Sequence, residues 1–304
     1  MTFPAPDFVT SPWLDRVIEQ TAERHRPHRR TVLTLALSAA PLSLVGLGCE
    51  AGPVSPAVQP QPQRSIEKLV AVPTMDGRGA RVRRVFPSQL LSYQDPFVLL
   101  DDFSVAEPAG FPEHPHRGFE AFTYMIDGGF HHKDTMGNDS VCSTGGTQRF
   151  TSGKGARHSE MPVGSAQNRG LQLWINLPRS LKKMEPEYEA VQGGDIPENG
   201  KNGVVTRTIV GKESPVKLRT AVRYLHLKMD KGARFEDEIP ADNVALIYVA
   251  EGRVKLGDLE LSNGEGAKPG DGELGMLALA DAHAFVLLGK RHHEPIIHRG
   301  PFVD

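Results

Sequence analysis

Two ten-residue stretches constrain this chain more than anything else in it: AFTYMIDGGF from Ala121 and ALIYVAEGRV from Ala245. Each reads as a strand, an acidic-Gly turn and a second strand, with Tyr124 and Tyr248 in register. A pattern that returns in the second half of a chain predicts two copies of one structural unit. The neighbouring apolar runs are short. They fall at 68–72, 80–85, 96–100, 119–126, 130–133 and 171–177 in the first half, and at 223–229, 245–250, 253–256, 276–279 and 284–288 in the second. Thirty-one glycines and 24 prolines punctuate them, which favours a turn-rich all-β chain over helical bundles. A tandem of double-sheet, jelly-roll-like barrels satisfies this pattern.

The 304 residues leave room for two such units and appendages. A net charge of −2 gives no basic excess for nucleic acid. Two cysteines, Cys49 and Cys142, are too few for a disulfide scaffold or a thiolate zinc site.

The N-terminal region reads as an address. The stretch 25–52 begins with Arg26, Arg29 and Arg30, runs apolar and uncharged from 31 to 48, and reaches Cys49. Arg29-Arg30 followed by Thr31-Val32-Leu33 resembles a twin-arginine export signal. Gly46-Leu47-Gly48-Cys49 resembles a lipobox, with Gly46 where leucine is usual. The expectation is export to the periplasm or cell surface, with a lipid on Cys49 as the only membrane attachment. A cytoplasmic location follows if the signal does not function. Residues 1–24 precede it, and Val17, Ile18 and Ala22 suggest a short amphipathic helix there. The organisation read from the sequence is an extension and signal over 1–49 and a Pro-rich linker over 50–64. A metal-binding barrel follows over 65–185, and a second barrel without metal ligands over 186–304.

HPHRGFE, from His114, carries the chemistry. Side chains at i and i+2 of a strand share a face, so His114 and His116 can aim both imidazoles at one point. In GKGARHSEMP, from Gly153, His158 and Glu160 repeat the spacing. Two such pairs facing one barrel interior would gather three imidazoles and a carboxylate. That donor set suits one divalent metal ion, Fe(II) first, with Ni, Cu, Mn or Zn as alternatives. Aligning the halves on the tyrosines puts Glu238 and Pro240 where His114 and His116 sit, and His283 near the place of His158. The remaining histidines His131, His132, His292, His293 and His298 read as loop or strand-edge residues. Cys142 reads as a small buried hydrophobe, with a redox-reactive thiol as the alternative.

Four longer motifs resemble the pirin family of bicupins: HPHRGFE, GARHSEMP from Gly155, GLQLWINL from Gly170 and DPFVLLDDF from Asp95. The C-terminal Glu294-Pro295-Ile296-Ile297 running into Gly300-Pro301-Phe302-Val303 is similar too. The resemblance spans about 68–303. It implies two tandem cupin barrels, the first holding one metal on His114, His116, His158 and Glu160, the second metal-free. Glu120 lies in the signature without being a ligand. The resemblance further implies either of two functions. One is a quercetin 2,3-dioxygenase-type reaction on flavonols or other catecholic and enolic compounds. There Glu160 would also accept a proton, and Phe103, Phe119 and Trp174 would wall a small aromatic substrate. The other is a metal-dependent, redox-sensing module that binds a protein partner without catalysis. A monomer is expected in either case.

Overall fold

The computed structural model describes residues 66–304 except 90 and 165. The expected signal, the linker and Cys49 lie outside the described residues. Strand β1 (Glu67–Val70) opens the described chain. A first barrel follows: β2 (Val72–Asp76), β3 (Ala80–Phe86), β4 (Phe97–Val105), β5 (Phe111–His116), β6 (Phe119–Asp127), β7 (Gly129–Asp134), β8 (Asp139–Ser143), β9 (Thr147–Thr151), β10 (Ala156–Pro162), β11 (Asn168–Asn176) and β12 (Glu187–Val191). The second is β13 (Glu198–Lys201), β14 (Val204–Val210), β15 (Val222–Met229), β16 (Arg234–Ile239), β17 (Asn243–Glu251), β18 (Arg253–Leu256), β19 (Leu259–Ser262), β20 (Glu265–Lys268), β21 (Gly272–Ala278) and β22 (Ala282–Lys290). A short hairpin, β23 (His298–Arg299) and β24 (Phe302–Val303), ends the chain's regular structure.

Each barrel pairs a seven-stranded sheet with a four-stranded one. The first has β12-β9-β6-β11-β4-β3-β2 with β5-β10-β7-β8, the second β1-β20-β17-β22-β15-β14-β13 with β16-β21-β18-β19. The two large sheets pack back to back. Alternation along β6 and β11 sends Phe122, Tyr124, Leu171, Leu173 and Ile175 outward, into one core with Tyr224, Leu246, Tyr248, Phe285 and Leu287 of the other barrel. Their alternate neighbours point into the barrels, so β6 and β17 are buried on both faces over most of their length, and β17 reads as a continuous apolar run from Val244 to Ala250.

The chain crosses between the units. β1 pairs with β20 of the second barrel, although β2 belongs to the first. β12 lies past the expected division at 185/186 yet pairs with β9, so the first sheet runs on to Val191. Val303 of the terminal hairpin is buried with Val98, Phe119, Ala121 and Phe150 of the first barrel. Lys182 fastens it, its ammonium donating to the Val303 and Gly118 carbonyls and to Asn176 Oδ1 at 2.7–3.0 Å. Arg117 pairs with the Asp304 carboxylate at 2.8 Å.

Strand pairing gives the exact relation of the halves. Tyr124 stands opposite Leu171, which stands opposite Asp102. Tyr248 stands opposite Phe285, which stands opposite His226. Each tyrosine crosses to the other barrel at these equivalent positions: Tyr124 Oη lies 3.0 Å from His226 Nδ1, and Tyr248 donates to Asp102 Oδ2 at 2.7 Å. The tyrosine alignment therefore holds for these strands. His283, opposite Glu251 and Lys228, matches Arg169, opposite Asp127 and Ser104, and not His158 as the sequence suggested. It lies on β22, and it meets His226 Nε2 at 3.2 Å.

Burial pushes His226 from 6.5 down to about 3, and His298 down to about 4. The unfolded chain therefore takes up protons first. The stability these groups contribute is whole above pH 6.5 and is lost as the pH falls through the window toward 3. The melting temperature of the metal-free chain is expected to decline already between pH 6.5 and 5. A flat profile there would contradict the buried neutral imidazoles.

Candidate metal centre

Strand β5 delivers His114 and His116 on one face, and β10 brings His158 directly opposite His114. One ring nitrogen of each imidazole falls in a group whose members all lie within 4.8 Å of one another. His114 Nδ1 donates to the Pro112 carbonyl at 2.8 Å, and His116 Nδ1 reaches the Pro301 carbonyl at 3.4 Å. Both backbone acceptors leave Nε2 as the lone-pair nitrogen. The two Nε2 atoms then face each other at 3.0 Å. Two lone pairs at that distance repel unless a cation or proton lies between them.

His158 makes the stronger case for a ligand. It is fully buried, stacked on Phe150 at 4.2 Å and 2°, and neither of its ring nitrogens has a hydrogen-bond partner. A buried polar ring with both nitrogens unsatisfied is costly unless something coordinates it. Burial, then repulsion from neighbouring histidines, holds His116 and His158 well below the usual histidine range. Both are neutral and keep a lone pair for a metal. The donor set thus fits a metal ion.

Glu160 shares the inward face of β10 with His158 but lies two residues along it, roughly 7 Å by strand rise. A bulge between them shifts its partner on β5 to Phe111. Its carboxylate borders the same cavity but stands outside the 4.8 Å imidazole group. Gln172 donates to its Oε2 at 3.0 Å, and the Gln148 amide and the Thr123 hydroxyl, at 2.9 Å, engage Oε1.

Those three side chains belong to a polar row across the inner face of the large sheet. Arg84 is opposite Asp101, Asp101 opposite Gln172, Gln172 opposite Thr123 and Thr123 opposite Gln148. Arg84 closes the row with a bidentate pair to Asp101 at 2.6 and 2.9 Å. The next inward row is Leu99, Trp174, Ala121 and Phe150, on which the imidazoles rest: His116 lies 4.9 Å from Trp174. Sequence reasoning missed the polar row. The available signal was the run of polar residues in TQRFT (147–151), a strand buried at every position.

A cavity of about 450 Å³ opens beside the triad, lined by Phe103, Phe111, Phe130 and Trp174 and reaching Arg84 and Asp101. Phe103 and Trp174 are wall residues as expected, whereas Phe119 lies behind Trp174, stacked at 4.2 Å. Gly170 is required beside the Phe103 wall, because a Cβ there would sit 2.5 Å from the Phe103 ring. Glu120 is fully buried, held by the Thr151 hydroxyl and the Arg219 amide, away from the triad.

Two histidines read as peripheral are buried instead. His132 stacks on Tyr188 at 3.9 Å, bonds Asp134 and lies 5.3 Å from the His158 ring. His298 lines the cavity itself. His131 and His293 pair with Asp139 and Asp242 at the surface. Cys142 is 1% exposed and burial pushes its thiol up to about 12, so it packs as a hydrophobe and is not a reactive thiol.

The equivalent positions of the second barrel are plain in the pairing. The β10 burial pattern recurs in β21, which sets Leu274 at the place of His158 and Met276 at that of Glu160. Ile239, opposite Gly272, takes the place of His116, and Asp237, opposite Leu274, that of His114. Glu238 and Pro240, the residues aligned from sequence, are displaced by one. The link from β16 to β17 spans three residues (240–242), against two (117–118) between β5 and β6. The polar row becomes Thr208, Leu225, Val286, Ile247 and Ala267.

Comparisons with known proteins agree with this architecture. The Pirin family model matches residues 79–175, and the Pirin C-terminal cupin domain matches 224–304. A pirin-like protein of Solanum lycopersicum is 38% identical over 253 residues, 80% of this chain and 87% of its own length. Pirin of Homo sapiens is 37% identical over 240 residues, 75% of this chain and 83% of its own. Among solved structures, quercetin 2,3-dioxygenase from Acinetobacter baumannii superposes with a TM-score of 0.73 at 28% identity, covering 78% of this chain and 90% of that one. The bacterial pirin YhhW of Escherichia coli, solved in complex with nickel(II), shares the fold with a TM-score of 0.62 at 20% identity, covering 75% and 99%. Two barrels matched in order, and relatives of this similarity along most of the length, establish that this bicupin chain belongs to the pirin family.

Proposed function

We propose that the first barrel holds one divalent metal ion on His114, His116 and His158 and converts a small hydroxyaromatic or enolic compound with dioxygen, quercetin-like flavonols being the first candidates. The observation that carries this reading is the open, aromatic-lined cavity of about 450 Å³ beside three converging imidazoles. A site that only sensed metal or redox state for a protein partner would need no such space. The quercetin 2,3-dioxygenase of A. baumannii supports the substrate class. Fe(II) is the first choice of metal, with Ni, Cu, Mn and Zn accepted by the same donors.

When bound, the metal supplies Lewis acidity toward a substrate hydroxyl oxygen and lowers its pKa. The chain's own residues do the rest. Phe103, Phe130 and Trp174 hold the rings flat and exclude water. Glu160 is the proton acceptor, and Gln148, Gln172 and Thr123 aim its carboxylate along the polar row. Its place beyond the imidazoles suits a base that acts beside the metal better than a ligand locked onto it.

Metal-loaded protein is expected to consume quercetin absorbance with matching oxygen uptake. Glu160→Gln is expected to lower kcat by about 100-fold or more while one equivalent of metal is retained. No turnover of quercetin or simple catechols by Fe-, Ni- or Cu-loaded protein would sink the dioxygenase reading.

A further inference from the structure

The two faces of β11 differ in a way that strand alternation does not require. Leu171, Leu173 and Ile175, which face the other barrel, are fully buried, whereas the inward Gln172 and Trp174 keep accessible surface. β11 is paired along both edges, with β4 and with β6. What these two side chains expose is therefore the barrel interior, and both line the cavity. In the second barrel the equivalent positions are closed. Val286 takes the place of Gln172, and Leu288, opposite Ala245 as Trp174 is opposite Ala121, takes that of Trp174; they are 0% and 2% exposed. Open space over these positions belongs to the barrel that carries the imidazoles.

Trp174 brings to that space a polar atom which the fold leaves unused. An indole N–H is a donor only, and this one has no hydrogen-bond partner among the described residues. The ring nitrogens of His158 are also unpartnered, but they are cut off from solvent. Trp174 Nε1 is not among the atoms enclosed in that way, so a ligand in the cavity can reach it. Buried tryptophans usually find a partner for this group. Gln172, by contrast, is engaged: its amide donates to Glu160 and its oxygen accepts from Thr123. The indole is also held still. It stacks on Phe119 at 4.2 Å and 28°, and the His116 and His298 rings cross it at 4.9 and 5.7 Å. A donor fixed before the ligand arrives loses little freedom on binding.

From this we infer that Trp174 is a substrate-orienting donor, whose indole N–H takes an acceptor oxygen of the ligand next to the hydroxyl that meets the triad. The spacing sets which oxygen this is. Only 4.9 Å separates the indole from the ring of His116, so the acceptor belongs on the carbon adjacent to the one bearing the hydroxyl. The preferred class is a hydroxyl beside a carbonyl, as in flavonols and other enols of 1,2-diketones, over a phenol with an isolated hydroxyl. The inference rests on the hydroxyaromatic reading of the site and narrows it.

The test uses the full chain loaded with diamagnetic zinc and labelled with nitrogen-15 at its two tryptophans. Trp13→Phe leaves one indole signal and so assigns Trp174. Two probes are titrated: 3-hydroxyflavone, whose hydroxyl stands beside a carbonyl, and 2-naphthol, whose hydroxyl stands alone. With 3-hydroxyflavone the exchange of the Trp174 indole proton with water is expected to slow by about tenfold, the worth of one neutral hydrogen bond, and its resonance to move downfield. With 2-naphthol the exchange is expected to stay as in the free chain. In calorimetry, Trp174→Phe keeps a ring on Phe119 without the donor. It is expected to weaken 3-hydroxyflavone by about three- to tenfold more than 2-naphthol. The exchange measurement needs no change at Trp174, so it decides the matter even if that variant does not fold. Unchanged exchange at saturating 3-hydroxyflavone, or equal losses for the two probes in the variant, overturns the role of Trp174 and leaves the proposed function standing. If the chain loaded with zinc or nickel binds neither probe, both fall together.

Discussion

His158→Ala is expected to empty the first barrel of metal. The wild-type chain should retain about one equivalent after desalting and the variant almost none, with affinity reduced by more than about 100-fold. Loss of an outer partner of a ligand alone costs 10–100-fold, and a ligand costs more. His158 is the informative choice because its two ring nitrogens are buried and unpartnered. Removing it deletes an unsatisfied polar group along with the packing on Phe150, so the metal-free fold should survive the change. Metal added to the wild type should raise the melting temperature in step with its concentration, as for any ligand of the folded state. The variant should show no rise. One tightly held equivalent in His158→Ala would remove the triad as the metal site.

The second large effect concerns the polar row. Arg84 and Asp101 are 3% and 5% exposed and share two hydrogen bonds. Arg84→Leu leaves the Asp101 carboxylate buried without its cation, and is expected to cost about 3–5 kcal/mol in denaturant unfolding. The second barrel shows what the same positions hold without charge: Thr208 opposite Leu225. The double variant Arg84→Thr/Asp101→Leu is therefore expected to regain most of the lost stability, because it leaves no carboxylate buried without its cation. A double variant no more stable than Arg84→Leu would mean that the pair is required for folding. The stabilised double variant should still bind metal, since neither residue belongs to the triad.

Much of the centre was legible in the sequence, for a physical reason. Strand periodicity is two, so H-x-H and H-x-E state a shared face without any knowledge of the fold. The repeat around Tyr124 and Tyr248 was legible on the same ground, and strand pairing bears out that alignment within β6 and β17. One extra residue in the link from β16 to β17 was enough to shift the alignment at Glu238 and Pro240. His283 was misplaced because equivalent strands were compared by distance along the chain, which the loops do not preserve. What could not be read was long-range. The row from Arg84 to Gln148 draws one residue from each of five strands. His298 lines the cavity of the first barrel from a hairpin whose Val303 is buried in that barrel, far along the sequence from the triad. Glu160 was legible as an inward residue, but its separation from the imidazoles depends on a bulge that its sequence does not announce.

The crossing of β1 has a mechanical consequence. Anything attached upstream of Ile66 pulls on the molecule through β1, whose hydrogen bonds run to β20 of the second barrel. Traction on a tether is therefore carried first by the sheet with the apolar interior. The triad hangs from β5 and β10 in the first barrel's small sheet, which is not bonded to β1. A protein held to a surface by its leading end would strain the barrel with the apolar interior and leave the geometry of the imidazoles undisturbed.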